Sequence, residues 1–520
     1  MNHSVRGSGV VRSLAALVVV MLMAFGTASG VLARAGGAGG HSSGGSRSSG
    51  GSRSSGGGGY HSSSGRSSSG STAPLPSAAF VIVFGIIVAL AIFVVMRGRK
   101  RQQLLGGAAG GDEADTEDEV TEEQPEGPNV DAESLAAFRA AHPAFDEAAF
   151  KLKVSRAFAK IQAAWTAQEL AGVRAFISDG MYQRFATQFA MMKLLKQTNV
   201  LDNITLTSVE LAAAWQDGAY DVVEVYVEAS MRDAFVCELD HGLDMSGESA
   251  FAEYWSFIRK QKAPDPRGDI YGDSTCPACS APLPKDLGEV GACAYCHALV
   301  NSGAYDWILA EITQQADYGA RAAMGPLVSR ALPQAVAQLH QEIPEFSVQL
   351  IEDKASNAFM QIMTVLATRN PALMRRFVSD RAFAQISALI PPEPVVFNRL
   401  YLNESVLIDA ARAGDRHRLA VGLSVTLQRV KVLPQGRLAK IDAREIQRRH
   451  VLILERDVAA GSSKGALYQH QCSTCGAPVG DSLDVTCGYC GAALNSTRLE
   501  WIVEELLTQG EYEKRRQSPR

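Results

Sequence analysis

Basic residues are scarce where a nucleic-acid-binding protein would gather them. The formal net charge is −5 over 520 residues, and Lys285 is the one basic residue between Cys276 and Cys296. No footprint for a phosphate backbone is present, and no nucleic-acid partner is expected. Catalytic signatures are missing too. There is no GxxxxGK followed by serine or threonine and no HExxH, and the glycines near Gly106 lie in a linker instead of between a strand and a helix. No nucleophile stands with a base, so the chain is expected not to be an enzyme. The best remaining cluster, Glu238, Asp240, His241 and Asp244, could tune a histidine for acid–base work, but it reads as a polar turn between strands. Cysteine is also sparse. Of nine cysteines, all but Cys237 fall in CxxC pairs, which leaves Cys237 as a small buried apolar residue.

Those pairs organise the rest of the chain. Cys276-Pro-Ala-Cys279 is followed by Cys293-Ala-Tyr-Cys296, and Cys472-Ser-Thr-Cys475 by Cys487-Gly-Tyr-Cys490. Two CxxC knuckles on short hairpins place four thiolates at the corners of a tetrahedron, the closed arrangement of a structural zinc ribbon. Two structural zinc ions are therefore expected. Ser280 stands where a glycine such as Gly476 usually follows a knuckle.

The ribbons belong to a larger repeat. Cys472 minus Cys276 is 196, and Trp501 minus Trp307 is 194. Pro344, Phe346, Ala358-Phe359 and Ser379-Asp380 each lie 201 beyond Pro143, Phe145, Ala157-Phe158 and Ser178-Asp179. An offset that shrinks only by loop-sized steps implies one duplicated domain instead of a short stacking unit.

The front of the chain is of another kind. Residues 1–35 carry Arg6 and Arg12, an apolar run from Leu14 to Phe25, and Ala33-Arg34-Ala35 as a small-x-small cleavage site, which reads as a signal peptide. Residues 36–77 are nearly all glycine and serine and are expected to stay disordered. Residues 78–96 contain no charge and are long enough for a transmembrane helix. Arg97, Arg99, Lys100 and Arg101 follow directly, which places the C-terminal side in the cytoplasm of a single-pass inner-membrane protein. A reducing compartment also keeps thiolates available for metal. The linker 97–131 turns acidic, with nine carboxylates between Asp112 and Glu126.

Beyond the linker, Phe150, Val154, Phe158, Ile161 and Trp165 mark one face of a long helix, and Ile351, Ala355, Phe359, Ile362 and Leu366 repeat it. Further helical segments are expected at Ala171 to Ser178 and Met181 to Lys196. Period-two alternation then predicts strands through Ile204 and Leu206, through Val223, Val225, Val227 and Ala229, and through Glu253, Trp255, Phe257 and Arg259 as the last one. Leu419, Val421, Leu423 and Val425, and then His450, Leu452 and Leu454, are the counterparts. Helices followed by antiparallel strands describe an α+β fold. The domains are then 132–262, a ribbon with a following helix at 272–312, a divergent copy at 325–460, a second ribbon with its helix at 468–508, and a tail at 509–520.

Phe138, His142-Pro143-Ala144-Phe145-Asp146, Ala164-Trp165 and the Glu253-x-Trp255-x-Phe257-x-Arg259 strand together resemble the Tim44-like domain family. That family comprises the membrane-bound anchor of the mitochondrial import motor and bacterial proteins with an export signal, a glycine-serine segment and one span. The resemblance covers Ala132 to about Lys260 well and Pro344 to about Val458 less well, because His450, Leu452 and Leu454 replace Glu253, Trp255 and Phe257. It implies two cone-shaped units of the nuclear-transport-factor-two type, long helices on a curved antiparallel sheet, with an apolar cavity that approaches membranes or binds apolar ligands. The expected function is a membrane-anchored binding or scaffold protein in protein transport or membrane-associated assembly. Its partners would be membrane lipids and translocation or envelope proteins, with Glu253, Trp255 and Phe257 engaging a lipid or apolar peptide. The alternative is an isomerase-like enzyme using the cone. A buried carboxyl group in the cavity would favour the enzyme, and an uninterrupted apolar lining the binder.

Overall fold

The computed structural model describes residues 127–520 apart from 289–290, 320–323, 325–326, 461–474, 476, 478–483, 499 and 519–520, together with two short strands, β1 (Ala33–Arg34) and β2 (Gly37–Ala38). These two pair antiparallel, Ala33 with Ala38 and Arg34 with Gly37, so the glycine-serine segment enters a ladder at its first residues. Backbone pairing needs no apolar side chain, which is why composition did not reveal it. The rest of the signal segment, the span at 78–96 and the linker to Glu126 lie outside the described residues. Among the described residues no helix is long and apolar enough to cross a membrane.

The first half begins with α1 (Ala132–Ala141), α2 (Glu147–Ala167) and α3 (Asp179–Leu195). Each starts at a side-chain cap: Asp131 accepts from the Ser134 amide, Asp146 from Ala149, and Ser178 from Met181. The strands β3 (Gln197–Asp217), β4 (Tyr220–Cys237), β5 (Met245–Lys260) and β6 (Ile308–Gln314) follow and pair in that order, all antiparallel. The predicted helix face packs on this sheet. Phe150, Val154, Phe158, Ile161 and Trp165 join Val223, Val225, Val227, Trp255, Phe257 and Leu309 in one core.

After the short α4 (Gln315–Gly319), the second half runs α5 (Leu332–Glu342), α6 (Val348–Thr368) and α7 (Asp380–Ser387), then β7 (Val395–Ala413), β8 (Arg416–Val432), β9 (Leu438–Lys440), β10 (Ile446–Asp457) and β11 (Ile502–Thr508), and ends in α8 (Gln509–Gln517). Its sheet has the order β11-β10-β8-β7, with β9 attached to β8. Apart from β9, the strand order is that of the first sheet. The helix α7 is shorter than α3 because Pro391-Pro392 follows closely and a residue before proline leaves the helical region.

Three expectations are corrected. Ala171 to Ser178 is a run of turns instead of a helix, because its end is captured by a strand: Leu309 donates its amide to Phe176 at 2.8 Å, and Ser178 donates to Leu309 at 2.9 Å. Trp307 and Trp501 do not sit on helices. Each immediately precedes a strand, β6 or β11, that completes its sheet. Consequently β5, which carries Glu253, is not the last strand of its unit. The boundaries 132–262 and 272–312 divide one sheet, and 325–460 and 468–508 divide the other, since each ribbon is inserted before the final strand.

Both halves belong to one compact unit. Asp217, at the β3–β4 turn, accepts from the Ser347 hydroxyl at 2.7 Å and from the amides of Val348 at 3.0 Å and Gln349 at 2.9 Å, so a carboxylate of the first half covers the N-terminus of a second-half helix. Helices α3 and α6 lie against each other. There the buried Asp353 accepts from the Ser178 hydroxyl at 2.5 Å and from the Gly180 amide at 3.1 Å. A Cβ on Gly180 would come within 2.2 Å of that carboxylate, so glycine is required at this crossing.

Candidate metal centres

The first ribbon is two tight hairpins facing each other. Cys276 donates its amide to Ala281 at 2.8 Å and Cys293 to Ala298 at 2.9 Å, and each cysteine carbonyl accepts from the residue four positions on, Ser280 and His297. Ser280 and His297 have φ of 61° and 58°, the left-handed conformation that closes a knuckle. Serine tolerates it at a cost of about 1–2 kcal/mol, and its hydroxyl is tied to the Arg267 carbonyl at 2.8 Å. That contact accounts for a residue other than glycine at position 280.

This geometry brings together all four predicted thiols. Their sulphurs lie within 4.8 Å of one another, with Cys276 to Cys296 at 3.7 Å and Cys279 to Cys293 at 3.8 Å. A tetrahedron with metal–sulphur bonds of about 2.3 Å has edges of roughly 3.8 Å, so the separations suit a metal ion, and they are far longer than a disulfide bond. The surroundings supply charge stabilisation. Burial opposes ionisation of Cys293, but the amides of Cys296 and Tyr295 point at its sulphur and, with the neighbouring thiols, bring it down to about 7. At Cys276 burial dominates and pushes the thiol up to about 12, against the amides of Ala278 and Cys279.

The second ribbon repeats the knuckle: Cys487 donates to Ala492 at 2.8 Å, and Gly491 donates back to Cys487 at 2.9 Å with φ of 71°. Cys475, Cys487 and Cys490 cluster within 4.8 Å, with Cys475 to Cys487 at 3.7 Å. The fourth predicted ligand, Cys472, lies outside the described residues. Two cysteine groups can thus hold metal ions.

Their settings differ. Cys276 and Cys293 are fully buried in the first core, in the same cluster as Phe150, Trp255 and Trp307, and Ala278, Cys279, Leu283 and Leu287 pack against it. Among the described residues, Cys487 is buried with Leu494 and Ala492 in a small separate cluster, while Cys475 and Cys490 are exposed, as Cys296 is in the first ribbon. Tyr295 and Tyr489, at the same place in the second knuckle of each ribbon, project outward with 68% and 75% exposure.

Glu253, Trp255 and Phe257 lie on the helix-facing side of β5 and are each 0% exposed. Trp255 donates its indole N–H to Glu253 Oε2 at 2.8 Å, and the Gln314 amide donates to Oε1. Trp255 packs on Phe158 at 6.0 Å and Phe257 on Phe150 at 5.4 Å. The expectation that these three present a ligand surface is therefore corrected: alternating residues on this strand meet a filled core. In the second half His450 packs on Phe359 at 5.5 Å, and burial depresses its pKa to about 4, keeping it neutral in the place Glu253 holds.

The cluster at Glu238, Asp240, His241 and Asp244 is a capped turn, as its composition suggested. Asp244 accepts from the Cys237 amide at 2.7 Å, which holds its carboxyl below the usual range, and it meets His241 Nδ1 at 2.8 Å in an exposed setting. Cys237 is buried.

Beside α2 and α3 the apolar side chains of Ile161, Ala164, Trp165, Leu170, Val173, Phe185 and Phe189 meet around a narrow crevice with no room for a water molecule. None of the three predicted residues lines it. Next to it Trp165 donates to Asn199, whose amide reaches the buried carboxylate of Asp233 at 2.5 Å. Sequence reasoning missed Asp233, because an acid in an alternating strand reads as solvent-facing.

Residues 131–268 match the model of the Tim44-like domain family. The match ends before the first ribbon and before β6. No curated protein matches the chain. Among solved structures, an Ntf2-like protein involved in plasmid conjugation is 9% identical, with 67% of this chain and 96% of that chain covered and a TM-score of 0.16. A lipopolysaccharide binding protein is 6% identical, with 54% and 78% covered and a TM-score of 0.10.

Proposed function

We propose that the chain is a membrane-anchored scaffold that works by binding, not by catalysis. Residues 78–96 would form its single span, and both α+β halves and both ribbons would lie on the cytoplasmic side of the inner membrane after removal of a signal peptide. The observation that carries this reading is the Tim44-like match over 131–268, a domain associated with membrane and translocation settings. In this reading the second half is a duplicated, divergent copy, as the shared element order and the offsets of 201 and 194 suggest. Two further observations support binding. The crevice at Trp165 and Phe189 is lined by apolar side chains alone, and as it has no room for a water molecule, a lipid chain or an apolar peptide side chain would have to part those side chains to enter. The inward-facing carboxylates Asp233 and Glu253 already accept hydrogen bonds from Asn199, Trp255 and Gln314, as structural acids do.

Each cysteine group would hold one structural zinc ion, because four thiolates with no water position suit zinc and leave no room for substrate. Metal analysis of the detergent-solubilised full chain, purified anaerobically, should find two zinc equivalents; fewer than two would count against this reading. For the scaffold role, Phe189→Asp should abolish recovery of co-purifying lipid or protein by mass spectrometry while the chain stays folded. Unchanged recovery would remove the crevice from the binding surface. Labelling of single introduced cysteines should place residue 60 outside and the ribbons inside.

A further inference from the structure

The first ribbon meets the body of the protein at the start of α3, and the residues it meets there are the ones that hold the second half. Asn301 stands directly after the second hairpin of the ribbon, whose base is closed by the Val300 amide donating to the Gly291 carbonyl at 3.0 Å. The hairpin lies against its side chain. A Cβ on Gly291, which has φ of 55°, would come within 2.5 Å of Asn301 Oδ1. From that place Asn301 Nδ2 donates to Asp179 Oδ1 at 3.1 Å and to the Ile177 carbonyl at 3.4 Å. The Arg174 guanidinium holds the same oxygen of Asp179.

On the other side of this turn lies α6. The Ser178 hydroxyl and the Gly180 amide donate to the Asp353 carboxylate at 2.5 Å and 3.1 Å, and the Asp179 carbonyl accepts from Asn357 Nδ2 at 2.9 Å. The N-terminus of α3 is thus gripped from two sides: the Asp179 carboxylate faces the ribbon, while its carbonyl, the Gly180 amide and the Ser178 hydroxyl face the second half. Asn301, Ser178, Asp179, Asp353 and Asn357 are all buried, so a shift of Asn301 strips a hydrogen bond from a group that water does not reach. The position of Asn301 depends in turn on the cage. A metal ion holds the two hairpins together, its binding free energy is folding free energy, and without it the second hairpin is free to move with Asn301 attached.

We infer that the first cage is a metal-dependent coupling between the halves: the ion fixes Asn301, Asn301 positions the start of α3, and that turn holds α6, so that release of the first ion loosens the grip on the second half. Asn301 is a positioning residue in this scheme. The inference rests on the proposal that both cysteine groups bind zinc. Its test is hydrogen exchange read by mass spectrometry on the full chain in detergent, loaded with zinc under anaerobic conditions. Cys490→Ser should hold one zinc equivalent, at the first cage, and should exchange over residues 347–360 as the unsubstituted chain does. A chelator then empties the first cage alone, and exchange over 347–360 should become faster by about tenfold or more. Asn301→Ala should speed the same residues by a similar factor while still holding two zinc equivalents, a combination that damage to the ribbon itself would not produce. Fast exchange over 276–301 with unchanged exchange over 347–360 after chelation would overturn the coupling, and so would an Asn301→Ala chain that exchanges like the unsubstituted one. An unsubstituted chain that holds fewer than two zinc equivalents would overturn the zinc reading beneath it.

Discussion

Asp353 is the residue whose setting departs furthest from its chemistry in water. It is fully buried where α3 crosses α6, and burial, reinforced by the Asp179 carboxylate and opposed by Ser178, Gly180 and Arg184, raises its pKa to about 7 from 3.8. The folded state therefore holds a proton that the unfolded chain gives up earlier. The stability this proton confers is present below the unfolded value and is lost as pH rises from about 4 to about 7. Asp353→Asn should remove that slope: its stability relative to the original chain should be similar near pH 4 and greater near pH 8, measured by urea unfolding at both values. A constant difference across the range would assign the slope to other groups, such as Asp317, which burial raises to about 6. Trp255 makes the complementary case. As a core residue its replacement by leucine should cost about 2 kcal/mol, partly because Glu253 loses a donor, while leaving co-purifying lipid unchanged. Loss of lipid without loss of stability would restore it to a binding surface.

Among the elements, the final strands are the instructive ones. β6 and β11 each pair with one neighbouring strand, β5 or β10, and each meets the loop before α3 or α7 through a parallel bridge, Ile177 to Leu309 and Val378 to Val503. They are short, and they are joined to their sheets by way of the ribbons. In the first half the ribbon core and Trp307, packed against Phe150 at 5.3 Å, hold the strand in place. Trp307→Ala should thus cost about 3–5 kcal/mol and weaken zinc retention at the first site alone. Equal loss at both sites by metal analysis would mean that the halves communicate through more than this strand.

Across the whole molecule, the halves are joined by buried polar contacts as well as by apolar packing. Gln349 reaches Glu311 across the joint at 3.2 Å, a carboxylate that Arg184 of the same half as Glu311 also holds at 3.2 Å, and Asp217 caps α6 across the joint. Removing one partner from such a joint leaves buried donors unsatisfied. Asp217→Ala should cost about 2 kcal/mol, and with Gly180→Ala it should split one thermal transition into two, because each half keeps its own core. A single transition in the double variant would show that the apolar contacts of α3 with α6 suffice for cooperativity.

The sequence by itself determined the helices whose apolar residues recur at a regular step, the strands that alternate, the capping serines at 178 and 379, and the cysteines that come together in two groups, since each is a local pattern set by backbone periodicity or spacing. The offsets of 201 and 194 read from it fall on elements that follow one another in the same order in both halves. What only the tertiary structure decided was which pattern wins where two segments meet. Ala171 to Ser178 has helical composition, yet a strand takes its backbone hydrogen bonds. Glu253, Trp255 and Phe257 have the look of a ligand site, yet a facing helix buries them. The insertion of each ribbon before the last strand, and the burial of Cys276 and Cys293 in the first core, follow from long-range packing that no spacing along the chain encodes.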